Sequence, residues 1–110
     1  MRAEDFRRHL DALGADYRAC LPAKVAAIRS LWRHSMSGVG APEGLTELKR
    51  ELHTLAGSAR TFGVADVGEL ARAAESLLDA CCERGTPPDA GSVTELARLI
   101  DAIQRSVAGA

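Results

Sequence analysis

Residues Leu48–Gly63, LKRELHTLAGSARTFG, carry the pattern that decides the fold. Leu45, Leu48, Leu52 and Leu55 follow one another at steps of three and four, the spacing that lines side chains along one face of an α-helix. At about 100° per residue the apolar stripe continues through Ala59 to Phe62, and His53 falls roughly opposite its centre. One turn after His53 stands Gly57, a residue that costs about 0.5–1 kcal/mol inside a helix relative to Ala. An outward imidazole beside a missing side chain points to close approach of another molecule to that ring.

The same periodicity recurs on both sides of this segment. Upstream, Ala3–Leu13 places Phe6, Leu10 and Leu13 on one side and stops at Gly14, which predicts a short first helix. A second helix is expected from Asp16, a suitable N-cap, to Met36, with Tyr17, Leu21, Val25, Ile28 and Trp32 as its stripe. Pro22 interrupts that pattern, so either a kink or a start nearer Leu21 is expected. A loop over Ser37–Ala41 precedes the His53 helix, which starts at Pro42 or Glu43 and ends at Gly63 in a left-handed conformation. A fourth helix carries Val64, Val67, Leu70, Ala71, Ala74, Leu77, Leu78 and Cys81 and stops before Gly85 in the loop ERGTPPDAG. A fifth runs from Asp89 or Ser92 to Val107 with Val93, Leu96, Ile100 and Ile103 inward.

Short connections between long helices force antiparallel neighbours. The predicted fold is therefore all-α, an antiparallel up-down four-helix bundle with a short extra N-terminal helix whose Phe6 and Leu10 close one end of the core. A single domain over residues 1–110 is expected, with its core bundle over about 16–107.

Composition narrows the function. Hydrophobic residues make up 46% of the 110 but aromatics only 4%, so the core must be built from Leu, Ala, Val and Ile. With a net charge of −1 and no basic block, the chain lacks the many phosphate contacts that nucleic-acid binding needs. No apolar run approaches the ~20 residues of a membrane span, and MRAEDFRRHLDALG lacks the apolar region of a secretory signal; a cytoplasmic protein is expected. Cys20, Cys81 and Cys82 form no C-x-x-C pair or zinc spacing, so reduced thiols and no metal site are expected. GSARTFG lacks the Gly-Lys-Ser/Thr ending of a P-loop, and no Ser or Cys sits in a hydrolase motif. His9 and His34, in RRH and after Trp32-Arg33, read as ordinary surface residues.

On an ideal helix Thr46, Lys49, Arg50, Ala56, Gly57 and Arg60 all project within about 60° of His53. Three of these are cationic, and the nearest acid in the run, Glu51, points to the side. The face thus offers a nucleophile with little steric cover in a positive setting, which offsets the charge of an arriving phosphoryl group. A free imidazole, with a pKa of about 6.5, is largely neutral near pH 7 and keeps a lone pair for attack.

HTLAGSARTFGVADVGELARAAESL, beginning at His53, resembles the signature of histidine-containing phosphotransfer (HPt) domains. That pattern is a His, a Leu two residues later, a Gly four later followed by a small residue, then Leu or Phe and Gly. Here these are His53, Leu55, Gly57, Ser58, Phe62 and Gly63, and Leu70, Ala74 and Leu77 fit the usual continuation. The resemblance covers most of the chain and implies a four-helix bundle. It also implies that His53 accepts a phosphoryl group, by resemblance on Nε2, from a receiver-domain aspartate or a histidine kinase and passes it to another receiver.

Lys49, Arg50, Ala56, Gly57 and Arg60 would be the surrounding phosphoryl- and partner-binding residues. The implied partners are response-regulator receiver domains and a histidine kinase, hybrid or not, with neither nucleic acid nor membrane. The chain would act as a monomeric phosphoryl carrier without kinase activity and without a cofactor, the Mg²⁺ belonging to the partner receiver. One position departs from the pattern: the family commonly has Lys three residues after the His, and this chain has Ala56. The alternative is a bundle adaptor that binds a receiver or kinase without being phosphorylated.

Overall fold

The computed structural model describes residues 2–37, 41–84 and 88–109, together with the backbone but not the side chains of residues 41 and 42. Four helices follow in order: α1 (Ala3–Met36), α2 (Ala41–Thr61), α3 (Ala65–Arg84) and α4 (Ala90–Ala108). Each packs against the next, and α4 closes back onto α1. This cyclic order of neighbours is the up-down bundle that the short links require. Residues 38–40 of the loop expected at Ser37–Ala41, and residues 85–87 of the loop after α3, lie outside the described residues.

The core is the sum of the four stripes. Leu21, Val25 and Ile28 of α1 meet Leu48, Leu52, Leu55 and Ala59 of α2, Val67, Ala71, Ala74 and Leu78 of α3, and Leu96, Leu99, Ile100 and Ile103 of α4. Full burial of each Leu or Ile stabilises the fold by about 1.5–3 kcal/mol, more than helix propensity contributes at any single position. Cys81 is buried, Cys20 and Cys82 are exposed, and all three are free thiols.

The first two predicted helices are one. α1 runs unbroken through Gly14, Asp16 and Pro22, so the separate N-terminal helix, the Asp16 cap and the alternative start at Leu21 are all corrected. Ending a helix leaves several backbone groups without partners and starting another requires a costly nucleus, whereas one interior glycine costs about 1 kcal/mol. Pro22 removes one backbone hydrogen bond, but buried Leu21 on one side and Val25 and Ile28 on the other hold both halves of the helix to the same core.

The unbroken path of α1 decides where Phe6, Leu10 and Leu13 lie. A 34-residue helix is about 51 Å long, close to the 53 Å long axis of the whole molecule. Tyr17 already lies beside Ser58 and Phe62 at the end of α2, so the turns before it extend past the bundle. Phe6, Leu10 and Leu13 are consequently 53%, 47% and 41% exposed and close nothing.

The helix ends follow local chemistry. Gly63 adopts φ +78°, its N–H donating to Arg60 O while Val64 N–H reaches back to Ala59 O at 2.8 Å. This is the Schellman arrangement, in which a residue without Cβ satisfies the last carbonyls of the helix. At α4, Asp89 is the N-cap and accepts from Ser92 N–H at 2.7 Å. That backbone hydrogen bond is the main reason its carboxyl titrates below the ordinary range.

Candidate functional site

The three-residue link Phe62–Val64 between α2 and α3 makes a tight antiparallel hairpin, and its register assembles the site. His53 meets Glu75 across this hairpin, and three residues nearer the link on each helix Ala56 and Arg72 line one groove. Gly68 permits this closeness. A Cβ there would lie 3.3 Å from Ala56 O and 3.5 Å from Arg60 N, so α3 rests almost directly on the backbone of α2.

His53 projects from α2 as the apolar stripe requires, and its side chain is 75% exposed. Its Nδ1 lies 2.6 Å from Oε2 of Glu75, whose side chain is only 18% exposed. An ionised carboxylate can only accept a hydrogen bond, so Nδ1 is the donor. Nε2 of the neutral ring is then left with its lone pair and no intramolecular partner. The ring is both oriented and held in one tautomer.

A groove of about 270 Å³ opens beside the ring, lined on α2 by Ala56, Gly57 and Arg60 and on α3 by Gly68, Glu69, Arg72 and other residues. A Cβ on Gly57 would meet nothing within 4 Å, so no neighbouring helix requires a glycine there; its small size serves the groove. Gly57→Leu is expected to leave thermal stability unchanged or slightly raised, since Gly is the poorer helix former. The same substitution should slow the phosphoryl transfer that the HPt resemblance implies for His53 by about 100-fold, through misplacement of the incoming group. Transfer kinetics beside a melting curve check this; normal transfer in the variant would remove the steric role from Gly57.

The charges around His53 are arranged differently from the helical-wheel expectation. Lys49 Nζ is bound to Asp79 Oδ1 of α3 at 2.7 Å, and this hydrogen bond, reinforced by Coulomb attraction, holds its ammonium above the usual lysine range. Arg50 Nη1 is paired with Glu47 Oε1 at 2.8 Å. Neither cation lines the groove; each is paired with an acid at its side. Of the cations named from sequence only Arg60 reaches the groove, and Arg72 joins it from α3. Neither arginine forms an ion pair among the described residues. Ser58 turns the other way, its Oγ 2.7 Å from the Tyr17 hydroxyl, whose ring stacks on Phe62 at 4.7 Å.

Glu75 and Arg72 were not singled out in sequence because they belong to a different helix from His53. The signal that could have found them is the hairpin itself. Once the chain reverses at Gly63 and Val64, residues about ten before and ten after the turn face each other, which brings the stretch around Glu75 to His53.

Among the described residues no helix is long and apolar enough to cross a membrane, and no group of three or more His, Cys, Asp or Glu side chains could hold a metal ion. Neither a curated protein nor a solved structure matches the chain. The family model described as Hpt domain matches residues 4–106, from the first turn of α1 to the last turn of α4. The helical bundle and this match across nearly the whole length place the chain in the Hpt domain family, the phosphocarrier modules of His–Asp phosphorelays.

Proposed function

We propose that His53 is the phosphoacceptor of this Hpt domain, and that it relays a phosphoryl group between receiver-domain aspartates or from a histidine kinase. The contact between Nδ1 and Glu75 is the observation that carries this reading, because it leaves Nε2 as an oriented, exposed nucleophile. A receiver docks over the groove with its aspartyl phosphate in line with Nε2. The Nε2 lone pair attacks phosphorus, the P–O bond to aspartate breaks, and its electron pair leaves with the carboxylate. The N–P bond makes the ring an imidazolium that keeps its Nδ1–H, and the Glu75 carboxylate lies against that developing positive charge.

Reversal of the same step loads a second receiver. Positioning and charge compensation supply most of the catalysis in such transfers, and the Mg²⁺ they use belongs to the acidic pocket of the receiver. The chain acts as a monomeric carrier and co-substrate, with receiver domains and a histidine kinase as partners.

Incubation with phosphoramidate, and separately with phosphorylated receiver domains, tests the reading. The expected product is an acid-labile, alkali-stable phosphoprotein with a ³¹P resonance typical of phosphohistidine. Receiver binding without any label would overturn the carrier reading in favour of an adaptor.

A further inference from the structure

The Hpt resemblance leads one to expect a Lys at the position of Ala56, three residues after the phosphoacceptor, and the tertiary structure places a different cation opposite that gap. Arg72 stands on α3 across the hairpin from Ala56, one turn before Glu75, and lines the groove beside the His53 ring. The geometry points to Arg72 as the counter-ion of the phosphoryl group on His53, the charge customary on α2 being supplied here by α3. The inference rests on His53 being the phosphoacceptor.

The other cations of the face are less suited to this task. Lys49 is committed to Asp79 and Arg50 to Glu47, and neither reaches the groove. Arg60 lines the groove but leaves α2 two turns beyond His53, about 10 Å along the axis. Arg72 leaves α3 three residues before Glu75, about 4.5 Å along the axis, next to the residue whose carboxylate holds the imidazole.

Glu69 also lines the groove, three residues before Arg72, but no ion pair joins the two. The guanidinium is therefore not neutralised before the phosphoryl group arrives, and it can donate two parallel N–H groups to phosphoryl oxygens. Ala56 and Gly57 leave room for it to do so, since neither projects beyond a methyl group into the groove. Arg72 forms no bond to phosphorus; its part is to hold a dianionic group that an exposed imidazole alone would leave to water.

The test follows the decay of label on full-length protein loaded with phosphoramidate and then freed of donor. Arg72→Ala is expected to shorten the lifetime of the phosphorylated form about three- to tenfold and to lower the level of loading, with an unchanged melting temperature because the side chain is exposed. Arg72→Lys should restore part of the lifetime. Ala56→Lys added to Arg72→Ala should restore it from the opposite helix, which no structural role of Arg72 would allow. A wild-type lifetime in Arg72→Ala, or a larger loss in Arg60→Ala, overturns the assignment while His53 labelling, and with it the carrier reading, stands. Absence of label on the wild-type protein overturns both.

Discussion

His53→Gln is expected to fold normally and to take up no phosphoryl group, with label at background and a loss exceeding about 1,000-fold. Glutamine reaches about as far as histidine, and its amide N–H₂ can still donate to the Glu75 carboxylate, so the half-buried acid keeps a partner. At a site this exposed the substitution should change stability by less than about 0.5 kcal/mol. What disappears is the ring nitrogen lone pair, because an amide nitrogen is delocalised and does not attack phosphorus. Acid-labile labelling and a melting curve, run side by side on both proteins, check the two halves of this statement. Label that persisted in the variant would have to sit on His9 or His34, both exposed on α1 and with no ion pair among the described residues.

Gly68→Val is expected to be the most damaging single change at the hairpin, although Gly68 touches no reacting atom. The Cβ of even an alanine would sit 3.3 Å from Ala56 O and 3.6 Å from Ala59 Cβ. Alanine needs the neighbours to give by only a few tenths of an ångström, and its better helix propensity offsets part of that strain. Valine adds two methyl groups against backbone that cannot rotate away, so α2 and α3 must separate. Overpacking of this kind costs about 1–3 kcal/mol, and each kcal/mol lowers the melting temperature of a domain this size by about 4–8 °C.

Separation also draws Glu75 away from His53, since the 2.6 Å contact depends on the same register. Phosphoryl acceptance should therefore fall together with stability in Gly68→Val, and hardly at all in Gly68→Ala. If valine proved as stable and as active as glycine, the close approach of the two helices would not be what positions the site.

The helix break and the charge setting of His53 both depend on contacts outside the local pattern. The helix break at Gly14 looked sound locally, yet one glycine is too weak to stop a helix whose next turns are held by Tyr17, Leu21 and Val25 in the core. The positive face around His53 was drawn on an isolated helix, and the acids of α3 redistribute it: Asp79 takes Lys49, and Glu75 takes the imidazole. At Gly14, Lys49 and His53 the deciding partners are remote in sequence, whereas Arg50 finds Glu47 within its own helix. The readings that succeeded were those for which the helix itself supplies the geometry. Leu48, Leu52, Leu55 and Ala59 are buried, Gly63 closes α2 with positive φ, and α4 starts next to Asp89.

Sequence alone therefore determined that this chain is an all-α bundle with His53 facing outward, because a period of 3.6 residues ties each side chain to a face without reference to anything distant. Only the tertiary structure decided which charges belong to that histidine. The distance from His53 to Glu75, and the position of Arg72 across from Ala56, exist once Gly68 lets α3 close on α2, and no spacing within a single helix encodes them.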